Sequence, residues 1–199
     1  MIEAIKYNLS HLTDFSGRDA RPTFWWYALF LLIAQWVIGF LAAIPMVVSS
    51  AGSAIDTVQS GADPEQVQVE MMSGMADAMG TQIYISAVIS VIVMLMFVAS
   101  FVRRLHDGGC PGLLAIIPIA LQVIAIGDSI AVVGEIQELL TTAAVNANNP
   151  AEMQQLEADL TFRWSNMAGW LAILVVAGFG VMKSQHGPNR YGEEPASIA

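Results

Sequence analysis

The fold the sequence predicts is all-α. It is a polytopic membrane protein with a four-transmembrane-helix bundle, an N-terminal interfacial helix and short helical outer loops. Three observations predict it: composition, the length of the apolar runs, and the placement of basic residues. The chain is 55% hydrophobic and 13% charged, against about 45–50% and about 25% in soluble domains. Its mean hydropathy is +0.58. The single cysteine, Cys110, excludes an internal disulfide, and no Cys/His spacing resembles a zinc site, so no metal or cofactor is expected.

A helix needs about 20 apolar residues to cross a bilayer core, each adding about 1.5 Å over about 30 Å. Four runs reach or approach that length: 24–48, 82–102, 112–133 and 164–182. Asp128 interrupts the third, and the fourth is clearly apolar only from Asn166. The chain then reads as one membrane domain, 1–199. It comprises an inner segment 1–22, acidic outer loops 49–81 and 134–163, and a tail 183–199.

Basic residues set the orientation, because short cytoplasmic loops carry an excess of Lys and Arg. Lys6, Arg18 and Arg21 precede the first span, Arg103 and Arg104 join the second to the third, and Lys183 and Arg190 follow the fourth. Only Arg163 falls on the other side, among most of the acidic residues. Both termini are therefore expected inside, and the net charge of −9 belongs to the outer loops. The first run is far longer than the ~7–15 apolar residues of a signal peptide, so it reads as a retained anchor. Trp25, Trp26 and Tyr27 at the inner edge, with Tyr84 and Trp164 at the outer edge, fit interfacial aromatic belts.

Each outer loop carries a helix-start signal. Asp63-Pro64-Glu65-Gln66 and Asn149-Pro150-Ala151-Glu152 both place a cap residue before a proline at the first helical position. The first of these helices is expected to break at Gly74 and Gly80. Near the N-terminus, Ile2, Ile5, Leu9, Leu12 and Phe15 recur at helical spacing, as a stripe lying on the inner interface or packing under the bundle.

Polar groups within the spans are few. Gln35, Ser90 and Gln122 lie near mid-span, and Asp128 lies near the outer surface. Hydrogen bonds between helices explain the first three, at about 0.6–2 kcal/mol each; a narrow polar path is the competing reading. Pro45 and Pro118 free backbone carbonyls, which usually kinks a helix.

The stretch FVRRLHDGGCPGLL, 101–114, ends one span and starts another. Arg103 and Arg104 suit a helix C-terminus, and Gly108-Gly109 with Cys110-Pro111-Gly112 is turn chemistry. His106 and Asp107 are adjacent, so on a helix they do not face each other and form no dyad.

Three segments carry a resemblance: FSGRDARPTFWW (15–26), RRLHDGG (103–109) and GPNRYGEEP (187–195). Together they resemble the domain of unknown function 805 family of small bacterial inner-membrane proteins. Gly17, Arg18, Arg21, Phe24 and Trp25 match the first family pattern, Arg103 to Asp107 with Gly109 the second, and Asn189, Tyr191 and Gly192 the third. Cys110-Pro111 and Leu113-Leu114 depart from it. The resemblance implies a bacterial inner (plasma) membrane location and no particular reaction. All three segments fall on the side the basic residues mark as cytoplasmic. Arg18, Arg21, Arg103, Arg104, His106, Asp107, Asn189 and Tyr191 are therefore expected to form one polar cluster there. In it Asp107 pairs with an arginine, and His106 bonds a carbonyl or caps a helix.

Three function classes follow, none involving nucleic acid. The favoured reading is an accessory, sensory or assembly protein, with no catalytic residue and a cluster that binds or simply holds the bundle. The next is a small oligomeric transporter or channel, and the third is an enzyme acting on lipid headgroups. The partners expected are the lipid bilayer, then anionic phospholipid headgroups, another membrane protein, or further copies of the chain.

Overall fold

A computed structural model of the protein describes residues 1–145 and 164–196, apart from the side chains at 64–65, 140–145 and 164–166. The regular elements among the described residues are all helices, with no strand among them. The order is α1 (Ile2–Ser10), α2 (Arg21–Gln59), α3 (Pro64–Asp107), a single 3-10 turn (Gly112–Ala115), α4 (Ile116–Val145) and α5 (Trp164–Val181). Three helical stretches are long and apolar enough to cross a membrane: Arg21–Gln59, Gln66–Asp107 and Gly112–Leu139. The apolar stretch of the last helix, Met167–Val181, is shorter.

Several boundaries differ from the sequence reading. The expected outer loop 49–81 is almost all helix, with only 60–63 between α2 and α3. Asp63 caps α3 as expected, accepting the Gln66 amide at 3.0 Å. Gly74 and Gly80 do not break that helix. A glycine inside a helix costs only about 1 kcal/mol, and at Gly80 the missing side chain lets a neighbour close in. A Cβ there would stand 3.0 Å from Val133 Cγ1. Pro45 lies inside α2, whereas Pro118 falls in the first turn of α4, where a missing N–H is tolerated. The N-terminal helix stops at Ser10, so Leu12 and Phe15 are not part of it. It turns Ala4 and Asn8 inward and leaves Ile2 and Leu9 exposed, as is Phe15 beyond it. Ile5 and Leu12 of that stripe are half-buried, and the fully buried residues of α1 are the small and polar ones. The Asn149 cap lies outside the described residues.

Two compact units make up the chain. The first comprises Met1–Trp36, Ser90–Ala125 and Met167–Ala199; the second, Val37–Ile89 and Ile126–Asn166. In the first, Phe24 of α2 meets Phe97 and Phe101 of α3, with ring centroids 5.4 and 6.2 Å apart. Leu105, Ala115, Val176 and Phe179 complete that core. Gly180 of α5 lets the aromatic start of α2 approach closely: a Cβ there would lie 2.8 Å from Trp25 and 2.9 Å from Phe24. In the second unit, Thr57, Ala76, Val133 and Leu139 are buried. Large apolar side chains otherwise face outward, Trp36, Phe40 and Trp170 among the most exposed. Hydrocarbon solvates such groups, so a membrane helix need not bury them.

Tyr27 corrects the aromatic-belt expectation. Trp25 and Trp26 are partly exposed, but Tyr27 is fully buried and its hydroxyl donates to the Met96 carbonyl at 3.1 Å. Three consecutive helical residues turn about 100° each and cannot share one outward face. A tyrosine hydroxyl turned inward needs an acceptor.

Candidate functional site

The site is built on the last two turns of α3. Residues 101–107 are all buried. Since consecutive helical residues point in every direction around the axis, seven in a row can be buried only if the helix end is wrapped on all sides. The turn that follows explains how α3 stops. The Cys110 amide bonds the Leu105 carbonyl at 2.9 Å and the Gly109 amide bonds that of His106 at 3.0 Å. Gly109 takes the left-handed conformation (φ +78°) that this C-terminal motif requires.

The two adjacent arginines serve opposite ends of the chain. Arg103 reaches the N-terminal segment. Its Nε donates to Asp19 Oδ1 at 3.0 Å, one terminal nitrogen to the carbonyls of His11 and Asp14, and the other to Asn8 Oδ1 at 2.6 Å. Its guanidinium carbon also lies 5.6 Å from the Tyr7 ring centroid. Asp19 accepts a second bond, from Ser100 Oγ at 2.9 Å, and its amide donates to the Arg103 carbonyl. Burial pushes the Asp19 carboxyl above the usual aspartate range, against the opposing pull of Arg103 and Ser100.

Arg104 reaches the C-terminal segment. It donates to the carbonyls of Gly180 and Met182 and to Asp107 Oδ2. Arg18 comes from the other side onto Asp107 Oδ1, at 3.2 Å from Nε and 3.0 Å from a terminal nitrogen. Its remaining N–H groups go to the carbonyls of Gln185, Gly187 and Gly192. Arg21 Nε donates to the Met182 carbonyl at 2.7 Å. The side chains of Arg18, Arg104 and Asp107 have no exposure to solvent.

His106 and Asp107 have separate partners. The His106 ring lies flat on Tyr191, centroids 3.8 Å apart, with Nδ1 3.2 Å from the Gly17 carbonyl. Arg190 covers Tyr191, its guanidinium carbon 4.6 Å from the ring centroid. Asn189 donates through its side chain to the His106 carbonyl at 3.0 Å, and the Gln185 amide donates to the Asp107 carbonyl at 2.9 Å. Arg103 is thus joined to the N-terminal segment, and Arg18, Arg21, Arg104, His106, Asp107, Asn189 and Tyr191 meet around residues 180–192.

Sequence reasoning missed Asp19, Asn8 and the tail carbonyls. Asp19 had a visible signal, an acid between two arginines in Gly17-Arg18-Asp19-Ala20-Arg21. The carbonyls had none, since every residue has one.

Of the intramembrane polar residues, Gln35 Nε2 donates to Ser90 Oγ at 3.2 Å. Gln122 is half-buried on α4, and no hydrogen bond among the described residues joins it to that pair. Asp128 is also half-buried on α4. Among the described residues, no group of three His, Cys, Asp or Glu is placed to hold a metal ion.

Chemically the buried centre of the cluster, Arg18, Arg104 and Asp107, is closed. Both Asp107 oxygens hold guanidinium groups, and Arg18 engages every N–H it has. What the fold defines is an all-helical, multi-pass integral membrane protein. Within that class the chain belongs to the family described as protein of unknown function (DUF805), which it matches over residues 12–193. No curated protein and no solved structure matches the chain.

Proposed function

We propose that the protein is a four-span accessory or assembly protein of the bacterial inner membrane, with both termini cytoplasmic, and that its arginine cluster is an internal clasp. The single observation that carries this reading is the saturation of the buried Arg18–Asp107–Arg104 centre. A headgroup or substrate site keeps spare donors facing solvent or lipid, whereas here backbone carbonyls and buried carboxylates take them. Support for the topology comes from seven of the eight Lys and Arg falling on one side. The bonds tying segments 8–19 and 180–192 to one end of α3 favour the same side for both termini. The exposed stripe of α1 fits the inner interface. The Gln35–Ser90 bond turns the two polar groups on each other, which suits helix adhesion better than a hydrated path.

One experiment separates clasp from site. The protein is isolated in native-lipid particles, wild type beside Arg104→Ala, with co-isolating proteins and anionic phospholipids identified and folding followed by thermal unfolding. The clasp expects Arg104→Ala to lose fold and partners together. Loss of a bound phospholipid from a variant that unfolds at the wild-type temperature would make the cluster a headgroup site.

A further inference from the structure

The turns of α3 that precede Gln82 carry Met71, Met72, Met75 and Met79, four of the chain's eleven methionines within nine residues. On a helix, residues three and four apart are neighbours. Met71, Met75 and Met79 therefore share one face, and Met72 sits beside Met75. That face is not the packing face. Ala76 and Gly80, one position further on and about 100° round the axis, are the buried ones. The three stripe methionines are 47%, 49% and 44% exposed. Thioethers used as core filler would be covered; these are presented outward.

Their electrostatic setting favours a cation. No Lys or Arg occurs between Arg21 and Arg103. Asp56, Glu70 and Asp77, in the same compact unit, are exposed, and Glu70 and Asp77 lie within the methionine stretch itself. A thioether is neutral, soft and carries no proton to lose. It selects soft ions such as Cu(I) and leaves Mg, Ca and Mn to oxygen ligands. Methionine's three rotatable bonds let sulfurs from adjacent turns converge on one ion. We propose that Met71, Met72 and Met75, with Met79 one turn further, form a surface site for a soft monovalent cation of the Cu(I)/Ag(I) class. The surrounding carboxylates supply the negative potential that the neutral sulfurs lack. The site requires only that this part of α3 stand outside the hydrocarbon, whichever side of the membrane that is.

Ag(I), which needs no reductant, is the probe. The full-length Cys110→Ser protein in detergent is titrated calorimetrically, the substitution removing the one thiol that would compete. Wild-type protein with its thiol blocked by N-ethylmaleimide serves if that variant does not fold. Saturable uptake of Ag(I) is expected, lost in Met71→Leu/Met75→Leu and retained in Met94→Leu/Met96→Leu. Leucine keeps volume and apolarity, so unchanged helical circular dichroism and melting temperature will show that the loss is one of ligands. Absence of saturable uptake, or equal uptake by the Met71→Leu/Met75→Leu protein, would overturn the site.

Discussion

Asp107→Ala is the sharpest perturbation of the clasp. Among the described residues Asp107 is the only carboxylate that pairs with Arg18 and Arg104, and all three side chains are without solvent exposure. Removing it leaves two guanidinium groups facing each other in a buried site, held by carbonyl dipoles alone. Breaking a buried pair by deleting one partner costs about 3–5 kcal/mol, a large part of the about 5–15 kcal/mol that a folded chain has. At about 2–4 °C per kcal/mol for a chain of this length, the melting temperature should fall by about 6–20 °C. Thermal unfolding in detergent, followed by tryptophan fluorescence, measures this directly. A double-mutant cycle identifies the cause. Arg18→Ala combined with Asp107→Ala should be non-additive by about 0.5–3 kcal/mol. Asn8→Ala, whose partner is Arg103, should add to Asp107→Ala almost fully. Additive Arg18 and Asp107 effects, or a melting temperature unchanged by Asp107→Ala, would refute the clasp.

The remaining predictions concern packing and pH. Gly180→Ala places a Cβ against the rings of Trp25 and Phe24, and overpacking of this kind costs about 1–3 kcal/mol; a melting temperature equal to wild type would show that α2 and α5 can part there. The Glu194 carboxylate accepts the Gly187 amide at 2.6 Å, and that bond holds its pKa below the usual glutamate range. A lowered folded-state value stabilises the folded tail above the ordinary carboxylate range, and the contribution is lost as pH falls through the lowered value. Hydrogen exchange at Gly187 should therefore lose protection in acid beyond the intrinsic pH dependence of exchange, and Glu194→Gln should abolish that extra loss. The same acid-dependent loss in wild type and variant would exclude the carboxylate as its cause.

Much of this was legible in one dimension. Long apolar runs announce membrane helices because hydrocarbon leaves backbone groups no partner but each other. Asp63 announces the start of α3 because its oxygen meets an amide three residues on. Signals of that kind are local, and local chemistry decides them. The breaks expected at Gly74 and Gly80 failed for the complementary reason: a glycine's effect depends on what packs against it, and at Gly80 that is Val133, distant in sequence.

The cluster divides along the same line. That arginines, a histidine and an aspartate gather where α3 ends could be read from three matching segments and the distribution of charge. Their pairing could not. Spacing alone allows Arg103 to face Asp107 one turn on, yet Arg103 turns to Asp19 and Asn8, while Asp107 takes Arg104 and Arg18. Nor could the sequence reveal that Arg18, Arg21 and Arg104 take main-chain carbonyls of residues 180–192, and Arg103 those of His11 and Asp14. A buried guanidinium must have its N–H groups met, and the chain that folds back within reach determines which acceptors meet them. Sequence thus determined the class, an all-helical chain with long apolar helices, because hydropathy and charge are properties of residue type. Only the tertiary structure decided who bonds whom, because a hydrogen bond depends on distances that the fold alone sets.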